Sequence, residues 1–355
     1  MRKGEVTLKD IAKSVGKSVA AVSKALHDHA DIAPETRAMI QQVAQEMGYR
    51  PNITAQRLQK KQTDTLGLVL PTFIGHSSIP ERQEGSRAQA DPFFTELLSG
   101  IADQAAANGF DLLVSTRIAG PEEEEAYRRL VSQQRVDGLL IAQPRVDDWR
   151  INFLQAQDIP FVVVGTAEAL GNSPGIFLDV DKGMAQGVEH LHAQGRNRLA
   201  LIPPPLDFTM YGKFTAAFKA AIAKYPDLAA QLTEPVETFS QRAGYQATSA
   251  LLTSDQAPDG IIACHDLVAL GSMAAVQDQG FEVGSDIALL GFGDILLSEY
   301  AQPPLTSIHQ PTYTMGQQAC QMVIDLVSGR NPGPPQTIVE PWLVVRQSSG
   351  LALWL

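Results

Sequence analysis

From Thr65 onward, short apolar runs take turns with helical segments, and this alternation restricts the fold more than any other feature of the chain. The runs are LGLVLP, FDLLVS, DGLLIA and PFVVVG, then LALIP, VETF, GIIAC and IALLGF. Each is nearly unbroken in hydrophobicity, as suits strands covered on both faces of a parallel sheet. Helices are predicted between them at 95–108, 121–134, 147–157, 182–195, 212–225, 241–253, 266–279 and 313–328. Alternating strand and helix with short connections gives a doubly wound α/β body. Four such units lie on each side of about residue 177. Two similar parallel sheets should therefore meet across a cleft, with a ligand site at the carboxyl ends of their strands.

The first fifty residues have a different period. Leu8, Ile11, Ala12 and Val15 form one apolar stripe, Thr7 and Asp10 make a capping-box start, and Gly16 supplies a turn. A second helix begins after Ser18, with Ala21, Val22, Ala25 and Leu26 inward and Val19, Ala20, Ser23 and Lys24 outward. A third runs from Pro34 to a stop at Gly48, with Ile40, Val43, Ala44 and Met47 inward. Two short helices joined by a glycine turn and braced by a third make an all-α helix-turn-helix head, or a small helical interaction module of the same outline.

Charge divides at the same boundary. Residues 1–62 hold eleven Lys/Arg against six Asp/Glu, a balance of +5, which leaves −16 for the remainder of a chain whose total is −11. A basic head gains from counterion release at a polyanion, whereas the acidic body is repelled by it, so nucleic-acid contact should be confined to the head. No apolar run has the length of a membrane span and the first residues lack a signal-like apolar stretch, so a cytoplasmic protein is expected. Cys264 and Cys320 are too few for a disulfide framework and have no metal-ligand spacing; two buried thiols are expected, with no metal and no cofactor.

The segment VTLKDIAKSVGKSVAAVSKALHDHADIAPETRAMIQQVAQEMGYRPNITAQRLQKKQTDTLGLVLP resembles the opening of the lactose/galactose repressor (LacI/GalR) family along its whole length. The resemblance continues through RVDGLLIA, DVDKGMAQGVEHLHAQGRNRLALI, ACHDLVALGSMAAVQDQG and VGSDIALLGFGD to PPLTSIHQ, so it covers nearly the whole chain. It implies a body like a periplasmic sugar-binding protein, with two subdomains joined by three crossovers. The divisions expected are a DNA-binding head at 1–50, a hinge helix and linker at 51–64, and an effector-binding and dimerisation core at 65–350. Within the core, the N-subdomain would take about 65–176 and 312–338 and the C-subdomain about 177–308 and 339–350.

The resemblance implies that Val19 and Ala20 read base edges by apolar contact and that Lys24 hydrogen-bonds a base or phosphate. Thr7, Ser18 and Ser23 would touch phosphates, a role that competes with plain helix capping for the same hydroxyls. Lys17 and Ala33 depart from the family's usual residues there. After YRPN the family folds a hinge helix only on operator DNA, where a leucine wedges a base step in the minor groove. The matching residues are Leu58 with Asn52, Ala55 and Arg57. Residues 52–61 contain neither Gly nor Pro, unlike a flexible linker. A helix of about eight residues does not recover its nucleation cost alone in water, so it should form only with a paired hinge and the groove.

For the cleft, the resemblance places Phe93 and Phe94 at a stacking position, Phe239 at a second, and His265, Gln143, Asp294 and Gln310 as polar contacts. Core packing is the competing reading of Phe93 and Phe94. Three departures stand out. Phe214 replaces a frequent Arg, with Lys213 and Tyr211 as its substitutes; Gly165 replaces an Asp; and Gly293 replaces the first acid of the pattern before Asp294. A sugar or glycoside effector is still expected, held by more stacking and fewer charges. Residues 74–90 read as a flap over the cleft or as a solvated loop. No GxSxG, phosphate loop, GxGxxG after the first strand or HExxH occurs. His265–Asp266, the one acid–base pair, reads as a ligand contact beside an N-cap, so no catalytic residue is assigned. The expected protein is a homodimeric regulator of a near-palindromic operator, a repressor in the first instance. The alternative is a ligand-binding protein with a vestigial head.

Overall fold

The computed structural model describes residues 6–26, 31–49, 62–71, 91–117, 119–166, 171–254 and 256–350. It divides into two compact units, 1–62 and 63–355.

The first unit holds three helices, α1 (Leu8–Val15), α2 (Val19–Leu26) and α3 (Pro34–Glu46). The predicted capping box forms at the start of α1: Thr7 N–H donates to Asp10 Oδ2 at 2.9 Å, and Thr7 Oγ1 accepts from the Asp10 amide. Gly16 ends the helix at φ +65°, a left-handed turn that a β-carbon would strain. Ser18 Oγ then accepts the Ala21 amide at 3.1 Å and starts α2. Ile11, Val22, Ala25 and Ile40 are fully buried, closed in by Ala12 and Ala44. So few buried side chains leave a small unit little margin, and losing one of them should be felt throughout it.

The second unit carries two six-stranded sheets. The first runs β11 (Gln336–Val339), β5 (Gly175–Leu178), β4 (Phe161–Gly165), β3 (Gly138–Ala142), β1 (Thr65–Pro71), β2 (Asp111–Arg117), all parallel. The second runs β12 (Trp342–Val344), β10 (Thr306–His309), β9 (Ala288–Gly293), β8 (Gly260–Ala263), β6 (Arg198–Ile202), β7 (Ala229–Leu232). Here β12 is antiparallel to β10, a departure from the all-parallel expectation at one sheet edge. The eight predicted helices are present, each within a few residues of its expected ends.

VETF is not a strand. Val236 is buried because its amide docks on the Pro203 carbonyl at 3.1 Å, and the edge strand beside β6 is the mostly exposed AAQL. The chain leaves the first sheet after Leu178, so a division at 176/177 cuts through β5; likewise it leaves after Val339, at the end of β11. The helices Gln241–Leu252 and Asp266–Asp278 cross at backbone distance. A β-carbon on Gly271 would stand 1.8 Å from the Gln241 carbonyl oxygen, which fixes the helix that begins at the cleft. Among the described residues, no helix is long and apolar enough to cross a membrane and no cluster of His, Cys, Asp or Glu could hold a metal ion.

Candidate functional site

On the first unit, α2 turns Ser18, Val19, Ala20 and Lys24 outward while Val22 and Ala25 anchor it; Val19 is 40% exposed. Ser23 is half-buried. The Lys24 ammonium is paired with the Asp31 carboxylate, both side chains about half exposed. Thr7 spends its hydroxyl proton on Asp10 Oδ2, at 2.7 Å, so it acts here as a cap. Asn52, Ala55, Arg57 and Leu58 of the expected hinge lie outside the described residues, as does the 74–90 segment.

The second unit has a cleft of about 720 Å³ at the carboxyl ends of both sheets. Five residues expected to contact an effector line it: Phe93, Gln143, Phe239, His265 and Gln310. Gln143 follows β3 in the left-handed region, φ 49°, which an unbranched polar residue tolerates only under constraint. Its amide donates to the Val164 carbonyl at 3.1 Å, and its own carbonyl accepts from Arg150 Nη2 at 3.2 Å. Held in this way, it lines the cleft and keeps a buried Oε1 with no hydrogen-bond partner. An unpaired buried acceptor costs about 1–3 kcal/mol, which a ligand donor would offset.

His265 caps its helix by accepting the Leu267 amide on Nδ1 at 3.1 Å, and its Nε2 faces Asp91 Oδ1 at 3.3 Å. Asp91 in turn caps the helix Pro92–Ala107, accepting the Phe93 amide at 3.0 Å. The starts of two helices from different subdomains thus meet at this pair. Burial works against the imidazolium, but the carboxylates of Asp91 and Asp266 outweigh it and raise His265 above its ordinary value. A second ring proton nevertheless costs the Nδ1 cap, so the helix start favours the tautomer with its proton on Nε2, toward Asp91.

The expected N-cap role of Asp266 is taken by His265. Asp266 lies behind it, wholly buried, accepting from Ser307 Oγ at 2.6 Å, the Ile295 amide at 2.8 Å and Ser298 Oγ at 2.9 Å. Burial raises its carboxyl above the usual range despite these donors. Gly291 makes room for it, since a β-carbon there would come within 2.0 Å of Asp266 Oδ1.

Four expected contacts fall elsewhere. Phe94 is core, 8% exposed and edge-on to Phe93 at 5.3 Å, so the two adjacent rings divide the stacking and packing roles. Lys213 reaches back to Asp181 on the helix Val180–Ala193, and Tyr211 beside it does not line the cleft. Asp294 is held by Arg346 Nη1 at 2.7 Å and His309 Nδ1 at 2.9 Å. Burial alone would raise its carboxyl, but these two partners hold it below the usual carboxylate range.

Two features escaped the sequence. Phe214, noted only as a missing arginine, lines the cleft floor against Phe292, rings 4.8 Å apart. A buried ionic cluster also stands behind Gln143. Arg150, 1% exposed, donates to both Asp148 oxygens at 2.8 and 2.6 Å, and Arg145 donates to both Glu123 oxygens at 2.7 and 3.1 Å. This cluster fixes a clasp between the subdomains: Arg145 bridges Phe208 in antiparallel fashion, with Val146 N–H on the Asp207 carbonyl and Thr209 N–H on the Pro144 carbonyl, each at 3.1 Å. The only signal for it was an excess of charge just beyond a buried strand.

A model of the bacterial regulatory proteins of the lacI family matches residues 7–52, and one of the periplasmic binding protein-like domain matches residues 188–349. The HTH-type transcriptional regulator AglR of Rhizobium meliloti (strain 1021) is 31% identical over 353 residues, 98% of this chain and 95% of that one. The solved complex of the transcriptional regulator CelR with cellobiose superposes with a TM-score of 0.70 at 25% identity, over 97% of this chain and 100% of that one. The lac repressor dimer bound to operator and the anti-inducer ONPF superposes with a TM-score of 0.80 at 25% identity, over 98% and 100% of the two chains.

Proposed function

The chain belongs to the LacI family of bacterial regulatory proteins, and from this we propose that it is a homodimeric, cytoplasmic, sequence-specific DNA-binding repressor of sugar or glycoside utilisation genes, controlled by a small molecule in its cleft. The observation that carries the DNA reading is the outward face of α2, which offers Ser18, Val19, Ala20 and Lys24 from a helix anchored by Val22 and Ala25. Apolar Val19 and Ala20 suit a thymine methyl, Lys24 a base or phosphate, and Ser18 and Ser23 phosphates. Thr7 joins them if its proton turns from Asp10. Asn52, Ala55, Arg57 and Leu58 would enter the minor groove as paired hinges, with Leu58 prying a base step.

The division proposed is a head at 1–50, a hinge at 51–64 and a core from 65. In the core, Phe93 and Phe239 would stack on the effector while Gln143, His265 and Gln310 bond its polar groups. Cellobiose in CelR and the operator-bound lac repressor dimer support a sugar effector, a palindromic site and a dimer. No catalytic role is proposed: the relatives named are regulators, and His265 keeps Nδ1 for its helix.

The experiment is a salt titration of the full-length protein on its selected palindromic site and on random duplex. A regulator keeps a specific-to-random ratio of about 10³ or more at physiological salt. A ratio near unity would identify a ligand-binding protein with a vestigial head.

A further inference from the structure

Among the described residues, no lysine or arginine lines the cleft. Four basic side chains of the same unit are committed elsewhere: Lys213 to Asp181, Arg346 to Asp294, Arg145 to Glu123 and Arg150 to Asp148. The two charged residue types on the walls are Glu96 and His265, and the latter faces Asp91. A phosphate or carboxylate entering here would meet an acid and, among the described residues, no lysine or arginine to compensate its desolvation.

The apolar surface is large by comparison. Phe93, Phe214, Phe239, Phe292, Met210 and Ile295 are among the cleft's lining residues. Phe239 lies between Phe208 and His265, ring centroids 5.9 and 5.3 Å away, and remains only partly buried, so it has an edge and face to offer. Where the resemblance expects an acid, Gly165 admits none, because a β-carbon would meet Pro144 Cδ at 2.5 Å.

Two amides among the cleft-lining residues have unmet capacity. Gln143 Oε1 is buried without a donor, and the Gln310 amide nitrogen has a weak partner, Met315 Sδ at 3.8 Å. One asks for a donor and the other for a better acceptor; a sugar hydroxyl can be either.

We propose that the effector is an uncharged glycoside bearing an aromatic or comparably flat apolar aglycone, rather than a free, phosphorylated or acidic sugar. This rests on the glycoside reading of the cleft and narrows it. The sugar ring takes the two amides, and the aglycone lies against Phe93 and Phe239.

The test is calorimetry of the full-length protein with matched series built on glucose, galactose and cellobiose: the para-nitrophenyl glycoside, the methyl glycoside and the sugar phosphorylated on its primary hydroxyl. In at least one series the aryl glycoside should bind about tenfold or more tighter than the methyl glycoside, and the phosphate should not bind. Phe239→Leu should shrink that ratio about threefold or more, the aryl glycoside's Kd weakening by a larger factor than the methyl glycoside's. Equal aryl and methyl affinities, or tightest binding by a phosphate, would overturn the aromatic class and leave the glycoside reading standing. Silence of every series, with or without binding of the free base adenine as a non-sugar control, would overturn both.

Discussion

Arg145 holds both oxygens of Glu123 with its guanidinium, and its backbone bridges to Phe208 in the other subdomain, so a buried carboxylate fixes the clasp between the two halves of the body. Glu123 is fully buried, and Arg150 lies 3.6 Å from it. Glu123→Ala would leave Arg145 and Arg150 short of one negative charge. Breaking such a buried pair from one side costs about 3–5 kcal/mol, which a urea midpoint will show. Glu123→Gln keeps the shape and one acceptor, so it should lose less stability while still loosening the clasp and weakening ligand binding in the cleft.

Lys24 is tied to Asp31, and this pair sets a second prediction. Exposed pairs of this kind hold by less than about 1 kcal/mol, so Asp31→Asn should tighten DNA binding by up to about fivefold, seen in fluorescence anisotropy. Lys24→Ala should weaken it by about 1–3 kcal/mol if the side chain reads a base, with a loss concentrated on the specific site. In the double variant the gain from Asp31→Asn should vanish. A gain that persists would mean that the carboxylate acts by general repulsion of DNA.

Asp294 gives the pH dependence. Its folded carboxyl sits below the ordinary value, so the stability it contributes is present above about pH 3.9 and lost as pH falls through the lowered folded value. Urea midpoints measured from pH 7 to pH 3 should fall less steeply for Asp294→Asn than for the parent. At pH 7 the variant should be about 1–3 kcal/mol less stable, because Arg346 and His309 each lose a charged acceptor.

Leu58→Ala tests the hinge. The wedge is proposed to act only in an opened groove, so specific binding should fall by a larger factor than binding to random duplex, where phosphate contacts remain. Equal losses on both probes would count against an inserted leucine.

The alternation of apolar runs and helices made the double-sheet body legible, because burial on both faces leaves an unbroken hydrophobic signature, as in GLLIA and FVVVG. Edge strands such as AAQL carry no such signature, and Val236 attracted the strand assignment by being buried for another reason. In the cleft, the family resemblance pointed to Phe93, Gln143, Phe239, His265 and Gln310, which line it. It could not say which of Phe93 and Phe94 would turn outward, nor that His265 rather than Asp266 would cap the helix. Those choices depend on partners far along the chain: Ser307 for Asp266, Asp91 for His265 and Glu123 for Arg145. Periodicity reports which face is inside and carries no record of such pairings.

The central claim is that occupancy of the cleft and grip on DNA are one coupled equilibrium. Its most direct measurement is the operator Kd at fixed salt, with and without a saturating amount of the tightest-binding glycoside from the calorimetric panel. The account predicts a change of about fivefold or more, in either direction, with the glycoside's own affinity shifted by the same factor when operator is present. An operator Kd that stays constant while the cleft fills would contradict it.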